Sequence, residues 1–534
     1  MEMTLKQMLG QKLEYGFHGT EMTEAFKNLI REYKIGNVII FRRNVESAAQ
    51  LRRLCAEIRD FILQETGYPP FIIIDEEGGM VSRLPRDAVN VPGAMAVAAT
   101  GDPENARRAS EITIRQLQGL GVNFNMAPVL DVNSNPDNPV IGVRSYGDVS
   151  EKVAAFGCAS IVPYQNSGVH CCIKHFPGHG DTAVDSHLGL PRVDKTEEEL
   201  EQLELIPFRR AIEAGAPAVM MSHVLFPHIE TEQVPCTMSR YMVTELLRKK
   251  MGFRGLIFTD CMEMLAIRDH YGTPQGVVAS IKAGVDIAEI SATFELEEQA
   301  AWAVNEAAKR GEFDLEELKA SVERILEFKR RLFSKPEPNL CNRDEDRQSV
   351  LQMSRAAVSQ LGGTPFAADA DTFFCGCADY RVSGVANEDS GAVTFPEFMA
   401  KAFHTKCLVT PKDPTEADIH HAVEQAAPFR QIVVGTCNGH LFRGQLKLVE
   451  ALAELQKPLA VVALRNPYDL TSVPDGLWKL ASYDYEEPAL HALEGVLRGE
   501  SAKGICPVKL YRKGRCMLMM HRPFARAVGK QSGG

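Results

Sequence analysis

The chain lacks any uninterrupted apolar run near the roughly 20 residues that a membrane-spanning helix needs, so the sequence predicts no membrane segment. Its first residues, Met1 to Lys6, do not form a basic stretch followed by an apolar one, which argues against a secretory signal. Positive charge is also in deficit: the formal net charge is −11, whereas a nucleic-acid partner would require a basic surface. These absences disfavour membrane and nucleic-acid partners and indicate a cytoplasmic protein.

The cysteines also lack the spacing patterns of disulfide frameworks or metal sites. The thirteen cysteines are odd in number and scattered, and several lie inside apolar runs, which is typical of reduced core residues in the cytoplasm. Cys375 and Cys377 lie too close together for the usual zinc-site spacing. Acidic residues are absent from Ser501 onward, so we interpret residues 511–534 as a basic tail that is solvated or disordered, with an anionic partner as the alternative.

What the chain does contain is a regular alternation of short apolar runs and longer helical stretches up to about Phe333. Continuous apolar strands that alternate with helices indicate a parallel sheet covered on its outside. The runs are Lys12–Phe17, Asn37–Phe41, Pro70–Asp75, Val122–Met126, Val169–Lys174, Ala216–Met221, Gly255–Asp260 and Asp286–Ile290. Eight such runs predict an α/β fold whose N-terminal part, residues 1–333, is a (β/α)8 TIM-like barrel, closed by a helix that Asp314 and Glu317 cap.

A second unit is predicted after the barrel. Two prolines among polar neighbours, Pro336 and Pro338, indicate a linker over residues 334–346. Five more apolar runs alternate with helical segments such as Leu441–Leu455. They are Thr372–Cys375, Lys406–Val409, Gln431–Gly435, Leu459–Leu464 and Leu477–Ser482. This pattern predicts a smaller, doubly wound α/β sandwich domain over residues 347–510.

Titratable residues collect where the predicted barrel strands end. The loop from Lys174 to Thr182 follows a buried strand and is soon followed by Asp185 and His187. Burying so many unpaired charges would be costly, and the C-terminal ends of barrel strands carry function. Other candidates lie at the ends of further strands: Asp75 and Arg83 after the third, Arg144 after the fourth, His175 after the fifth and Asp260 after the seventh.

The residues alone leave several roles open. Asp260 suits a nucleophile, a metal ligand or the cap of a helix that begins near Met262. The arginine and lysine side chains suit a ligand rich in hydroxyls, or they pair with Asp75 and Asp131 as structural salt bridges. His175, His179 and His187 resemble a zinc set only loosely, because they do not have the usual helical spacing, and we expect neither a metal nor a cofactor.

The segment Lys174-His175-Phe176-Pro177-Gly178-His179-Gly180-Asp181-Thr182, with Asp185-Ser186-His187, closely resembles the signature of β-N-acetylglucosaminidases of glycoside hydrolase family 3. Asp75-Glu76-Glu77-Gly78-Gly79 with Arg83, Gly142-Val143-Arg144-Ser145-Tyr146 and Thr259-Asp260 resemble further motifs of that family, in the same order. Val461–Asp469 and Ala481–Tyr485 are similar to its α/β sandwich domain. The resemblance thus covers the barrel and continues into the second unit.

The resemblance implies a retaining exo-β-N-acetylglucosaminidase of the β-N-acetylhexosaminidase type. Asp260 would be the nucleophile, His187 the acid/base, and Asp185 the partner of His187. The positions that hold the sugar hydroxyls would be Asp75, Arg83, Arg144, Lys174 and His175. The expected substrates are terminal β-linked N-acetylglucosamine residues of peptidoglycan fragments, as in peptidoglycan recycling, or of chitin oligosaccharides.

The chain departs from the family pattern at a few positions. The family more often has Gln and Arg where this chain has Glu76 and Met80, and Cys261 follows the nucleophile position in place of an acidic or small polar residue. We expect Glu263 to be structural. Three alternatives remain: a phosphorylase that transfers the sugar to phosphate, a catalytically inactive sugar-binding protein, and a metal-dependent barrel hydrolase.

Overall fold

The computed structural model describes residues 3–182, 189–333, 336–380 and 393–512, together with residues 515–516. Within these ranges, none of the helices combines the length and the apolar character that crossing a bilayer requires. The predicted basic tail lies largely outside the described residues. Only the backbone of Tyr511–Arg512 and Arg515–Cys516 is described there, as two short strands that pair antiparallel.

The first part of the chain is the predicted parallel barrel. Its strands are β1 (Leu13–Tyr15), β2 (Asn37–Ile40), β3 (Phe71–Ile74), β4 (Phe124–Asn125), β5 (His170–Cys171), β6 (Ile173–Phe176), β7 (Ala218–Met221), β8 (Leu256–Thr259) and β9 (Ala288–Ile290). β5 and β6 are two halves of one predicted run, separated at Cys172. Parallel bridges Val129–Lys174 and Phe258–Ile287 join the two sheets into a closed ring.

The barrel is packed on both sides of its wall. Its interior contains apolar side chains from several strands, such as Ile39, Phe124 and Phe258, while a separate core lies between the strands and the helices outside them. The helices are α1 (Leu5–Gln11), α2 (Glu24–Tyr33), α3 (Ala48–Thr66), α4 (Ala94–Ala99), α5 (Glu104–Leu120), α6 (Ser150–Ile161), α7 (Glu197–Gln202), α8 (Leu205–Glu213), a π-type helix (Tyr241–Lys250), α9 (Leu265–Arg268), α10 (Thr273–Ala283), α11 (Phe294–Lys309) and α12 (Leu315–Lys329). As expected, Asp314 caps α12 by accepting hydrogen bonds from the N–H groups of Glu316 and Glu317.

The second part forms a six-stranded sheet between two helical layers. Its strands are β10 (Ser359–Gly362), β11 (Thr372–Cys377), β12 (Cys407–Thr410), β13 (Gln431–Thr436), β14 (Leu459–Ala463) and β15 (Trp478–Ala481), in the order β10-β15-β14-β13-β11-β12. Its helices are α13 (Asp344–Ala357), α14 (Phe395–Phe403), α15 (Glu416–Ala426), α16 (Arg443–Ala453) and α17 (Glu487–Leu497).

All strands of this sheet are parallel except the edge strand β10, which runs antiparallel to β15. The fold class predicted from the sequence, a TIM-like barrel followed by a smaller doubly wound α/β domain, is confirmed. The five predicted runs all become strands, and β10 is the strand that the apolar pattern missed.

The carboxyl ends of the second sheet face the barrel loops that follow β3 and β4. Asn133 Nδ2 donates a hydrogen bond to the hydroxyl of Tyr468 at 2.7 Å. Met80 and Val143 of the barrel loops pack against the apolar core of the second domain. The second domain therefore supports the same loops that carry the barrel's candidate site residues.

Candidate active site

Three barrel strands direct polar side chains to one end of the barrel. Asp75 follows β3 directly, Lys174 and His175 belong to β6, and Asp260 follows β8. The carboxyl ends of parallel strands meet at one rim, so residues far apart in the sequence converge there. Asp75 and Asp260 remain partly accessible, whereas Lys174 and His175 are buried.

Two buried cations and two carboxylates form the centre of this site. Lys174 Nζ contacts Asp75 Oδ1 at 2.8 Å and Glu77 Oε1 at 2.7 Å. Arg144 donates two hydrogen bonds to Glu77, from Nε and Nη2, each at 2.8 Å. Burial alone would raise the pKa of the Glu77 carboxyl, but Arg144 and Lys174 outweigh it and hold that pKa well below its ordinary value. Glu77 is thus a fixed anion that orients both cations.

His175 is held in one orientation by its neighbours. Its Nδ1 lies 2.7 Å from Asp131 Oδ2, and its Nε2 lies 3.3 Å from Arg144 Nη2. Because a guanidinium only donates, Nε2 accepts and Nδ1 donates to Asp131. Asp131 is fully buried and also accepts the backbone N–H of His179 at 2.7 Å. Burial disfavours the Asp131 anion, but its contacts with His175 and His179 outweigh burial and lower the pKa of Asp131.

The turn that carries Asp260 is anchored on both sides. The N–H of Cys261 donates to Asp260 Oδ1 at 2.8 Å, and His223 Nε2 donates to the Cys261 carbonyl oxygen at 3.0 Å. The following helix α9 begins at Leu265 with Met264 as its N-cap, so Asp260 does not cap it. Asp260 is therefore held at the rim by the backbone, with its side chain at the barrel mouth.

Glu263, two residues beyond Cys261, is part of the same anchoring. One of its oxygens accepts hydrogen bonds from the N–H groups of Ser291, Ala292 and Thr293 at 2.7–3.1 Å. These contacts satisfy backbone donors just before α11, which supports the structural role expected for Glu263.

Two further carboxyls lie inside the barrel beneath the site. Glu14 of β1 and Glu289 of β9 are register partners on neighbouring strands, and both are buried. Burial, followed by the neighbouring carboxyls, raises the pKa of both groups well above the ordinary value. Protonated carboxyls here add no negative charge beneath Asp75 and Asp260.

The structure brings together most, but not all, of the residues singled out by the sequence. Asp75, Arg144, Lys174 and His175 contact one another directly or through Glu77. Arg83 is also buried, and its backbone N–H donates to Glu76 Oε2 at 2.9 Å. Across the described ranges, no three His, Cys, Asp or Glu side chains are grouped as metal ligands would be. The expectations for Asp185 and His187 lie outside the described residues.

Glu77 is the site residue that sequence reasoning missed, although it was visible in the Asp75-Glu76-Glu77 run. Every second residue of an extended segment points to the same side, so Glu77 and Asp75 face Lys174 while Glu76 faces away. The alternative of structural salt bridges was partly right. Lys174 pairs with Asp75, but Arg144 pairs with Glu77 and Asp131 holds His175.

Replacing Glu77 with glutamine should destabilise the protein and disorder the pocket. The substitution leaves two buried cations short of one counter-charge, a loss of the kind that costs about 3–5 kcal/mol. Because the pKa of Glu77 is lowered on folding, this carboxylate stabilises the protein above pH ~4.5, the ordinary Glu pKa, and less below it. Urea unfolding at pH 7 and at pH 4 should show a larger loss at pH 7.

Glu76→Gln is the matched control, one residue away and also with its side chain largely buried. Burial raises the pKa of Glu76 to about 7. Folding therefore keeps Glu76 protonated between pH ~4.5 and 7, and its contribution to stability falls as the pH rises through that window. The glutamine variant should match the parent at pH 4 and gain stability at pH 7. Similar losses in both variants at pH 7 would contradict the assignment of Glu77 as the paired anion.

The chain has an eight-stranded parallel barrel with a charged site at the carboxyl ends of its strands, and a doubly wound domain follows. These features define the class of two-domain barrel enzymes. The family model described as the glycosyl hydrolase family 3 N terminal domain matches residues 2–328. The chain belongs to glycosyl hydrolase family 3.

Individual relatives agree with this assignment. The chain is 36% identical over 369 residues to a protein named beta-hexosaminidase A from Pseudoalteromonas piscicida, an alignment that covers 62% of each chain. It is 34% identical over 287 residues to a beta-hexosaminidase from Alkalilimnicola ehrlichii, covering 52% of this chain and 80% of that protein. This chain thus spans less than two thirds of the length of the Pseudoalteromonas relative.

A solved structure matches over nearly the whole length. The glycoside hydrolase family 3 beta-N-acetylglucosaminidase from Paenibacillus sp. str. FPU-7 superposes with a TM-score of 0.89 at 36% identity, covering 96% of this chain and all of that one. The beta-glucoside phosphorylase BglX superposes with a TM-score of 0.80 at 19% identity, which shows a shared fold alone.

Proposed function

We propose that this protein is a retaining exo-β-N-acetylglucosaminidase. The observation that carries the proposal is the cluster of Asp75, Lys174, Glu77 and Arg144 beside Asp260 at the barrel mouth. Its fixed donors and acceptors suit the hydroxyl groups of one terminal sugar. The relatives named beta-hexosaminidase and beta-N-acetylglucosaminidase support N-acetylglucosamine as that sugar.

In the proposed reaction, Asp260 attacks the anomeric carbon and forms a covalent glycosyl-enzyme. His187 donates a proton to the leaving oxygen, and Asp185 orients and charge-stabilises the imidazole. Water then attacks the intermediate, and His187 takes the proton of that water. A histidine suits this role because it titrates near neutral pH and does not repel the Asp260 carboxylate as a second carboxylate would.

The residues around Asp260 have distinct proposed tasks. Asp75, Lys174, His175 and Arg144 hold the sugar hydroxyls, and Arg83 completes that set. Glu77 and Asp131 keep these donors in place, since Glu77 pairs with Arg144 and Lys174 and Asp131 pairs with His175. No step in this scheme requires a metal ion or a cofactor.

The proposed substrates are peptidoglycan fragments or chitin oligosaccharides with a terminal β-linked N-acetylglucosamine. We also propose a cytoplasmic location, because the twelve cysteines whose side chains are described are all free, as they are in reducing compartments. Fragments already inside the cell would then be the available substrates.

The test is a product analysis on an aryl β-N-acetylglucosaminide, with and without inorganic phosphate. Proton NMR taken early in the reaction should show N-acetylglucosamine released as its β-anomer, at a rate that phosphate does not change. Sugar 1-phosphate in the phosphate arm would favour the phosphorylase instead. Absence of any turnover would favour the inactive sugar-binding protein.

A further inference from the structure

A cavity of about 400 Å³ lies at the amino ends of the barrel strands, the end opposite to the candidate active site. Sites for small molecules typically measure about 300–1,000 Å³, so this cavity has room for a ligand. Lys12, directly before β1, lines it together with side chains of the π-type helix and of α12. We call it the basal cavity, and its polar lining includes Lys12, Arg248, Ser321 and Arg324.

Three cations surround one buried carboxylate at the floor of the basal cavity. Asp286 is fully buried and forms ion pairs with Arg248 and, at 2.9 Å, with Arg324. Lys12 joins this group through Ser321. Its Nζ donates to Ser321 Oγ at 2.5 Å, and Ser321 Oγ donates to Asp286 Oδ1 at 2.6 Å. Because three positive charges face one negative charge, the floor keeps a net positive charge of two.

The carboxylates at the rim of the cavity are already engaged elsewhere. Glu312 pairs with Lys282 at 3.3 Å, and Glu317 pairs with Arg240 at 2.6 Å. Asp314 accepts hydrogen bonds from N–H groups at the start of α12. The rim therefore does not neutralise the floor.

The two arginines of the floor are accessible from the cavity. Both line it, and their side chains are 15% exposed in Arg248 and 31% exposed in Arg324. Within the described part of the chain, the Arg324 side chain donates one hydrogen bond, from Nη2 to Asp286, although a guanidinium has five N–H donors. Burial lowers the pKa of Lys12 to about 8, and the two arginines contribute to this shift. Positive charge is thus costly at the floor, and a bound anion would relieve that cost.

We propose that the basal cavity binds a phosphate group, either as inorganic phosphate or as a phosphate monoester. A phosphate group carries about 1.5–2 negative charges at pH 7, which matches the excess charge of the floor, whereas a carboxylate supplies one. Arginine also pairs with phosphate oxygens through parallel N–H donors. The basal cavity lies at the other end of the barrel from Asp260, so this inference does not depend on the proposed function.

The experiment measures the binding of inorganic phosphate and of glucose 6-phosphate to the full-length protein by isothermal titration calorimetry at pH 7. Sodium chloride keeps the ionic strength equal in all titrations, because exposed charges are screened by salt. Glucose alone is titrated as well, to separate binding of the phosphate group from binding of the sugar.

Ala320→Glu is the decisive variant. Ala320 is exposed, lines the cavity and lies one helical turn before Arg324 on α12. A glutamate there pairs with Arg324 and repels an anion, and it removes no polar contact of the parent protein. The control is Gln299→Glu, which adds the same charge at an exposed position of α11 outside the cavity lining.

Arg324→Met is a second variant, since it removes one of the cations directly. Its matched control is Arg115→Met, because Arg115 is also partly buried, with its side chain 25% exposed, and pairs with the buried Asp346. Thermal melting of each variant reports whether it folds. If Arg324→Met does not fold, Ala320→Glu decides the matter.

We expect saturable binding of phosphate to the wild-type protein, with Kd raised about tenfold or more in Ala320→Glu and Arg324→Met. Both controls should keep the wild-type Kd. A lower Kd for glucose 6-phosphate than for inorganic phosphate would identify a monoester as the ligand, and similar values would identify phosphate itself. Absence of saturable binding of both compounds, or an unchanged Kd in Ala320→Glu, would overturn the proposed site.

Discussion

Asp260→Ala should abolish turnover of an aryl β-N-acetylglucosaminide, with kcat/KM lowered by a factor on the order of 10⁴ or more. The reason is that this reaction breaks the glycosidic bond through a covalent step, and Asp260 supplies the attacking carboxylate. Initial rates measured at high enzyme concentration would detect any residual activity. The fold should survive, because the backbone N–H of Asp260 still donates to Met221 in the variant.

The control for this variant is Asp269→Ala. Asp269 follows the same loop, at the end of α9, but it is half exposed and pairs with its neighbour Arg268. An exposed pair of this kind contributes about 0–1 kcal/mol, so activity and stability should stay near those of the parent. Both variants should have similar melting temperatures. Substantial turnover by Asp260→Ala would then contradict the nucleophile assignment.

His187→Ala should lower kcat/KM more for substrates with poor leaving groups than for substrates with good ones. General acid catalysis contributes about 10²–10⁴-fold, but only where the departing oxygen needs a proton. We therefore expect a loss of that size on an N-acetylglucosamine disaccharide and a much smaller one on an activated nitrophenyl glycoside. The measurement is kcat/KM on both substrates, with the leaving-group pKa as the variable.

His270→Ala provides the comparison for this variant, since His270 is an exposed histidine on the barrel surface. It should leave both kcat/KM values unchanged. If His187→Ala lowered both kcat/KM values by the same factor, His187 would not be the proton donor.

The strands of this fold were predictable for a definite reason. Buried parallel strands such as β3 and β8 appear as continuous apolar runs, because both faces of each strand are covered. β10 escaped because its residues Ser359–Gly362 alternate between buried and exposed and lie at an edge of the sheet. A short, half-exposed strand with a polar start and a glycine end does not stand out from a loop.

The sequence predicted which short motifs contribute residues to the site, but not how the side chains of those motifs pair with one another. The run at Asp75–Glu77 predicted a charged loop. It did not show that Glu77, rather than Glu76, pairs with the cations, because that depends on which way each side chain points. Glu14 and Glu289 illustrate a second limit. They lie near opposite ends of the barrel sequence and become neighbours only because β1 and β9 pair when the ring closes.

The pairing of the two domains was also beyond the sequence. Arg465 and Asn466 lie in the stretch that resembles the family's sandwich domain, yet no spacing rule connects them to Gly142 or Arg144. Their proximity follows from the orientation of the second sheet, whose carboxyl ends face the barrel loops. Long-range placement of this kind depends on packing between whole elements rather than on local pattern.

The most direct test of the mechanism is to trap the covalent intermediate with a slowly turned over fluorinated N-acetylglucosaminide analogue. After digestion, mass spectrometry should find the sugar attached to the peptide that contains Asp260. A label on any other residue, or complete inactivation with no covalent label, would contradict the account.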